Sequence, residues 1–167
     1  DTLYTEILAS LDPLYEAFIA SRLSEGTQLL HLVGSQLDAL KTELEKAKAL
    51  LGARDGHMRG LLKTQSAKIL DNTTQFDAQR MAQEVALIFV KSDVTEELDR
   101  LAIHIQAASD LMKAGGAVGR RMEFLMQEFN REANTLCAKA QFSELTSIGL
   151  EMKVIIDQMR EQIQNLE

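Results

Sequence analysis

The feature that most constrains the fold is a stretch of apolar residues at helical spacing in the first third of the chain. Between positions 33 and 51 these residues recur at alternating steps of four and three: Val33, Leu37, Leu40, Leu44, Ala47 and Leu51. Such steps place side chains on one face of an α-helix. The chain has a single proline, 46% hydrophobic residues and no strand-like alternation. We therefore predict an all-α protein.

Residues 1–91 are predicted to form a long antiparallel helical hairpin arm. Asp12 and Pro13 are typical of a helix start, because Asp caps a helix well and Pro fits its first turn. The segment LGARDGHMRG, residues 51–60, contains three glycines and is predicted to be the turn of the hairpin. A second helix would run back from it, and the polar segment DNTTQFD, residues 71–77, is expected to loosen or break that helix.

Residues 92–167 are predicted to form a compact helical C-terminal region. Ser92 or Asp93 can cap its first helix. The glycine-rich loop AGGAVG at 114–119 and the junction AKAQFS at 138–143 divide the region into three helices. Each of these helices carries an apolar stripe, so we expect the three to share a core.

The charge of the chain is unevenly distributed. The net charge is −7, from 18 basic and 25 acidic residues, which argues against general binding of nucleic acid. The segment from Lys113 to Lys139 is nevertheless positive, with five basic and three acidic residues, whereas the segment from Ser92 to Met112 has a net charge of −4. Metal-assisted phosphate chemistry uses both kinds of charge, since carboxylates hold the cation and arginines hold the phosphates. The alternative is that these charges only solvate the surface.

Cysteine content and hydropathy limit the other classes of protein. Cys137 is the only cysteine, which excludes a disulfide framework within the chain and a cysteine-based zinc site, and which fits a cytoplasmic location. No apolar run approaches the roughly 20 residues that span a bilayer, so we expect no membrane partner. The chain begins at Asp1 and not at Met, and we expect further sequence on its N-terminal side.

The helix after Asp93 carries a line of polar residues beside its core stripe. Asp93, Glu97, Arg100 and His104 stand at i, i+4, i+7 and i+11 and share one face of the helix. Carboxylates and an imidazole on one face can share a cation or flank a phosphate. The alternative is an ion-paired face exposed to solvent.

The next helix, GRRMEFLMQEFNREANTL at 119–136, is unusually dense in polar groups. Glu128 and Glu132 are one turn apart, so both can reach one divalent ion, and oxygen ligands suit Mg²⁺ or Mn²⁺. Arg120 and Arg121 follow a glycine-rich loop at a helix N-terminus, where guanidinium and backbone N–H groups suit an anion. A structural network that ties neighbouring helices together would use the same residue types, and spacing leaves this alternative open.

Three long motifs resemble those of one known family. The segments DVTEELDRLAIH, GGAVGRRMEFLMQEFNREANTL and MREQIQNLE are similar to the YicC-like endoribonuclease family of bacteria, and the resemblance extends from about Arg80 to Glu167. The positions that match the family motif are Glu96, Glu97, Asp99, Arg100, His104, Gly119, Arg120, Arg121, Gln127, Glu128, Asn130, Arg131, Glu132, Asn134, Thr135 and Lys139. One position departs from the pattern, because Ala138 stands where family members often carry Ser.

The resemblance implies a metal-dependent endoribonuclease that acts on structured or small RNAs and assembles into a hexamer enclosing RNA. It implies an additional N-terminal domain, which is expected to supply RNA surface, so that this chain alone can be inactive. The expected residues are Glu97, Glu128 and Glu132 for Mg²⁺ or Mn²⁺, His104, Glu128 and Glu132 for catalysis, and Arg100, Arg120, Arg121, Asn130, Arg131, Asn134 and Lys139 for RNA.

Two mechanisms and one non-enzymatic function follow from these expectations. The first mechanism is hydrolysis by a metal-activated water, with His104 as a ligand or a proton donor. The second uses the RNA 2′-OH as nucleophile, with His104 or Lys139 as acid and base and no metal. The non-enzymatic alternative is a helical oligomerisation or RNA-binding module whose polar stripes form an interface.

Overall fold

The computed structural model describes residues 2–70 and 78–164, and in this part of the chain all regular structure is helical. The five helices are α1 (Thr2–Leu70), α2 (Ala78–Lys91), α3 (Thr95–Ala114), α4 (Gly119–Lys139) and α5 (Ser143–Gln164). The prediction of an all-α protein with one long helical element and a helical C-terminal region is confirmed.

Four of the helices form a bundle with one hydrophobic core. The second half of α1 packs against α3 and α5, and α4 packs against the same two helices. The apolar stripe between positions 33 and 51 faces this core, as predicted. The largest fully buried side chains are Leu40, Leu98, Leu101, Met122, Met126, Phe129, Leu136, Leu145, Met152, Ile156, Met159 and Ile163.

The turn predicted at residues 51–60 is wrong, because α1 continues through this segment to Leu70. Arg54 and Met58 are buried and follow Leu51 at steps of three and four, so the core-facing stripe extends through the segment. This packing offsets the low helix propensity of the three glycines, which costs about 1 kcal/mol each relative to Ala.

The helix start predicted at Asp12 and Pro13 is also wrong, since Pro13 lies inside α1. A proline in a helix interior removes one backbone hydrogen bond, yet α1 extends from Thr2, before Pro13, to Leu70, far beyond it. The predicted break at residues 71–77 lies outside the described residues. At Ser92, just after α2, the chain is again beside the C-terminal part of α1, where the Ser92 hydroxyl is 3.8 Å from Met58 Sδ.

The helix boundaries in the C-terminal region agree with the sequence signals. The N-cap position of α3 is held by Val94, one residue after the predicted Asp93, and makes no side-chain capping bond. The Asp93 carboxylate nevertheless accepts a hydrogen bond of 2.9 Å from the Thr95 N–H at the start of the helix. Gly115 and Gly116, in the loop before α4, have positive φ angles of 67° and 77°, which glycine adopts without strain. These local signals explain why the order and limits of α3, α4 and α5 could be read from the sequence.

The first half of α1 lies outside the bundle core, because no described residue before Val33 is buried; the described residues of α2 are likewise not buried. Its exposed large apolar side chains are Tyr4, Ile7, Leu8, Leu11, Leu14, Tyr15, Phe18, Ile19, Leu23, Leu30 and Leu32. None of the described helices has an apolar stretch long enough to cross a bilayer.

Candidate functional site

His104, Glu128 and Glu132 come together between α3 and α4. One possible ligand atom from each residue lies within 4.8 Å of those of the other two. Glu128 and Glu132 are one turn apart on α4, and His104 faces them from α3. Glu132 is buried, with 3% of its surface exposed, while the other two are half-buried. One imidazole and two carboxylates therefore converge at a site that is partly open to solvent.

The packing of α3 on α4 fixes the position of the imidazole. The ring of His104 contacts the ring of Phe129 edge-on, with centroids 6.1 Å apart. Phe129 itself is fully buried in the core. The contact with Phe129, a core residue of α4, thus holds His104 beside Glu128 and Glu132 of the same helix.

Arg100 neutralises part of the negative charge beside this cluster. Its guanidinium group is 3.3 Å from Glu132 Oε1 and makes a second ion pair with Glu96. The hydrogen bond with Glu132, and then the charge of Glu96, raise the pKa of Arg100 above its ordinary value. Arg100, predicted to bind RNA, is therefore already engaged with two carboxylates.

Glu97, predicted as a metal ligand, lies elsewhere on the α3–α4 interface. Its Oε1 atom accepts a hydrogen bond of 2.7 Å from Lys139 Nζ. Its Oε2 atom is buried and has no hydrogen-bond partner among the described residues. The structure brings His104, rather than Glu97, into the group with Glu128 and Glu132.

Three members of the polar line on α3, Glu97, Arg100 and His104, lie beside polar residues of α4, although Arg100 is also exposed to solvent. Asp93, the fourth member, is exposed and bonded within the start of its own helix.

The remaining predicted RNA-binding residues lie on other sides of α4. Arg120 and Arg121 are exposed in its first turn. Asn130, Arg131 and Asn134 line a groove between α4 and α5, together with Gln127 and Arg160 of the two helices. Within this groove the Asn134 side-chain amide donates a hydrogen bond of 2.8 Å to Asn130 Oδ1. The dense polar surface of α4 is thus divided into two faces.

Arg54 is a residue that the sequence analysis missed. Its side chain is buried in the bundle, where Nε donates to the Ala140 carbonyl at 2.8 Å and Nη2 donates to the carbonyls of Lys139, at 3.1 Å, and Ser92. It therefore fixes the end of α4, from which the Lys139 side chain reaches Glu97. The signal was present, because a charged residue at a core position of the stripe in α1 implies a buried partner.

Comparison with known proteins identifies the class to which this helical bundle belongs. Residues 45–167 match the family model described as "Endoribonuclease YicC-like, C-terminal". The chain is 40% identical, over 171 residues, to a Haemophilus influenzae protein named "Probable endoribonuclease YicC"; the match covers 100% of this chain and 57% of the relative. A Clostridioides difficile protein of the same name is 34% identical over 146 residues, which cover 87% of this chain and 50% of the relative.

The chain belongs to the YicC-like endoribonuclease family, as the resemblance of its motifs predicted. It spans about half the length of the curated relatives it matches. The matched segment, residues 45–167, includes the second half of the bundle stripe in α1 and all of α3, α4 and α5. The converging His104, Glu128 and Glu132 lie within it.

Proposed function

We propose that this chain carries the catalytic site of a metal-dependent endoribonuclease, with RNA as its substrate and His104, Glu128 and Glu132 as the ligands of a divalent cation. The observation that carries the proposal is the convergence of these three side chains, whose ligand atoms lie within 4.8 Å of one another. Membership of an endoribonuclease family supports RNA as the substrate class.

The donor set favours Mn²⁺ over Mg²⁺. Mg²⁺ prefers an all-oxygen octahedral shell, whereas imidazole is a common ligand of transition metals. Glu132 fits the role of a ligand, because it is buried and its charge is only partly offset by Arg100 at 3.3 Å. A cation beside it would balance the remaining negative charge of the two glutamates.

The residues around the cluster have separate tasks in this proposal. When bound, the cation supplies Lewis acidity, which lowers the pKa of a water molecule and offsets charge on the phosphate. Arg100 holds Glu132 in place through its hydrogen bond. Arg120 and Arg121 are exposed at the start of α4 and can hold RNA phosphates as bidentate donors.

Lys139 differs from the arginines at the start of α4, because its charge is already paired within the protein. Its ammonium group is held by Glu97 at 2.7 Å, and its side chain is about one-third exposed. In the metal-independent route, in which the RNA 2′-OH attacks the phosphate, Lys139 or His104 would move the protons. Chelation of the metal separates this route from hydrolysis.

A specific observation favours the alternative of a non-catalytic assembly module. The first half of α1 leaves a long row of apolar side chains exposed, which is typical of an association surface. This row is remote in sequence from Glu128, so assembly through α1 and catalysis at the cluster can be tested independently.

The deciding experiment follows cleavage of labelled RNA hairpins by the full-length protein in Mn²⁺, in Mg²⁺ and in EDTA. The test variant is Glu128→Gln, which keeps the shape of the side chain but removes its charge. The matched control is Glu151→Gln, an exposed position on α5 outside the cluster. Oligomer mass is measured for each protein, and Mn²⁺ binding is measured by calorimetry as a readout independent of activity.

We expect cleavage in Mn²⁺ that EDTA abolishes. Glu128→Gln should weaken Mn²⁺ binding and lower the cleavage rate by about 10- to 100-fold or more, with an unchanged mass, and Glu151→Gln should behave as wild type. Cleavage that persists in EDTA would move the chemistry to His104 or Lys139. Absence of cleavage together with a loss of assembly in Glu128→Gln would support the module instead.

A further inference from the structure

A second groove adjoins the His104–Glu128–Glu132 cluster on the side of the α3 C-terminus. It has a volume of about 520 Å³, within the range of small-ligand sites. Apolar side chains of α3 and α4 form its floor, among them Leu111 and Leu125, and Arg121, Phe124 and Glu128 line it from α4. Because Glu128 belongs to both, the groove and the cluster are continuous.

Phe124 is the unusual member of this groove. Its ring is 57% exposed, and it is the only exposed large aromatic side chain in the described part of α3, α4 and α5. A single exposed apolar residue is common on protein surfaces. What distinguishes Phe124 is its position, because it stands on α4 between an arginine three residues earlier and a glutamate four residues later, on one face of the helix.

Arg121 gives the groove a site for an anion. The side chain is exposed, and no ion-pair partner is found for it within residues 2–70 and 78–164. Two carboxylates also line the groove: Glu128, which belongs to the cluster, and Asp110. Asp110 accepts a hydrogen bond of 2.9 Å from Gln106 and lies 3.9 Å from the Lys113 ammonium group. A bound phosphate is therefore favoured on the α4 side of the groove, beside Arg121, and disfavoured on the side of Asp110.

We propose that this groove binds an unpaired nucleobase, stacked on the ring of Phe124, with its phosphate held by Arg121. The inference rests on the proposed function, because it places this nucleotide next to the scissile phosphate at the cluster. Every base presents a π-face, so an aromatic ring binds bases with little regard to sequence. The apolar floor of the groove excludes water from the other faces of the stack.

The spacing on α4 agrees with this placement. Arg121 and Glu128 are two helical turns apart, a rise of about 10 Å, so one short stretch of RNA backbone can reach both. A base inside a duplex is stacked on both faces and paired along one edge, so neither face is free to lie on Phe124. The groove therefore selects RNA that is single-stranded at the cleavage point, such as a loop, a bulge or an end.

The test measures binding without metal, so that it does not depend on cleavage. The full-length protein is titrated, in EDTA, into a short single-stranded RNA that carries the fluorescent base 2-aminopurine, placed at each position in turn. Stacking on an aromatic ring quenches this fluorophore. The variants are Phe124→Ala, Phe124→Leu, which keeps apolar area but no π-face, and Phe124→Tyr, which keeps the ring; Leu150→Ala removes an exposed apolar side chain on α5 as a control.

We expect quenching at one position of the RNA with wild type, Phe124→Tyr and Leu150→Ala. Phe124→Ala and Phe124→Leu should lose that quenching and weaken Kd by roughly tenfold, the value of one base–aromatic stack. Quenching that survives in Phe124→Ala, or a Kd of Phe124→Leu equal to wild type, would overturn the subsite. Stacking in EDTA with no cleavage in Mn²⁺ would reject the proposed function and retain the subsite. Cleavage in Mn²⁺ with no effect of the Phe124 substitutions would reject the subsite and retain the proposed function.

Discussion

At the scale of single residues, Gly149 determines how closely α5 can pack against α4. A Cβ atom at this position would lie 2.5 Å from Cys137 Sγ, a separation that requires a shift of the thiol or of a helix. Gly149→Ala is therefore expected to destabilise the bundle by about 1–3 kcal/mol, because the overlap outweighs the gain of about 1 kcal/mol in helix propensity. Chemical denaturation measures the difference.

The same contact provides an internal control. In a Cys137→Ala background the overlap is absent, so Gly149→Ala should be neutral or stabilising there. Gly60→Ala, in a part of α1 where nothing lies within 4 Å of the added atom, should not destabilise the protein. An equal loss of stability in both backgrounds would mean that the thiol is not what excludes the alanine. Burial of the Cys137 thiol beside this contact raises its pKa above the ordinary value.

Asp93 is a second residue whose effect can be predicted with its sign. The hydrogen bond from the Thr95 N–H lowers the pKa of Asp93 below its ordinary 3.8. A lowered pKa in the folded state gives stability that is present above pH 3.8 and is lost as pH falls through the folded value. Asp93→Ala should therefore cost less than about 1 kcal/mol near neutral pH, where the carboxylate is charged, because solvent screens the interaction of this exposed group.

Unfolding in denaturant at neutral and at acidic pH would measure this dependence. The difference between wild type and Asp93→Ala should shrink as the pH falls below 3.8. Asp93→Asn keeps a capping oxygen without the charge, so its stability relative to Asp93→Ala should change little with pH. If the stability difference between wild type and Asp93→Ala were constant across this pH range, the charge of Asp93 would not contribute to its hydrogen bond with Thr95.

At the scale of elements, Arg54 joins three helices at one point. The carbonyls of Lys139 and Ala140 belong to the C-terminal end of α4, where backbone acceptors lack partners within the helix, and the Ser92 carbonyl precedes α3. Arg54→Met would leave these buried acceptors unsatisfied, and we expect a loss of about 3 kcal/mol in the free energy of unfolding.

Two further substitutions make this prediction specific. Arg54→Lys keeps the charge but lacks the fork of the guanidinium group, so it should recover less than half of the loss. Arg59→Met, at an exposed position on the same helix, should change stability by less than about 0.5 kcal/mol. If Arg54→Lys were as stable as wild type, the charge rather than the hydrogen-bond geometry would hold the joint.

The elements also explain what the sequence can and cannot predict. Local signals place α3, α4 and α5 correctly, because their effects depend on neighbouring residues alone. The Asp93 carboxylate bonds to the nearby Thr95 N–H, and the glycines after Ala114 adopt positive φ angles. The turn predicted at 51–60 is wrong because Arg54 and Met58 continue the core stripe through a segment that contains three glycines. Local propensity yields to tertiary packing in such a segment.

Part of the candidate site can also be predicted from the sequence. The polar density of α4 is visible in the sequence, and so is the i, i+4 spacing of Glu128 and Glu132. The choice of His104 rather than Glu97 as their neighbour depends on how far α3 is shifted along α4. That shift is set by the buried residues of both helices, so it is a property of the packed pair and not of either local pattern.

At the scale of the whole molecule, the two halves of α1 have opposite environments. The buried stripe begins at Val33. The exposed half carries a separate apolar stripe, again at steps of four and three, formed by Tyr4, Leu8, Leu11, Tyr15 and Phe18. An apolar stripe at this spacing is typical of a helix that packs against another helix. The exposed half therefore has the pattern of a packed helix without a partner among the described residues.

This arrangement predicts that assembly and folding can be separated. Deletion of residues 1–28 removes no described side chain that is buried, so the thermal unfolding midpoint of the bundle should change by no more than about 2–4 °C. The same deletion should lower self-association, measured by sedimentation, because it removes most of the exposed apolar row.

The point substitution Leu11→Glu should lower the oligomer mass in the same way while keeping the length of the chain. Glu6→Gln, the control, should leave the oligomer mass unchanged. A large fall in the midpoint would instead mean that the first half of α1 packs on the bundle, and an unchanged mass would mean that the row does not mediate association.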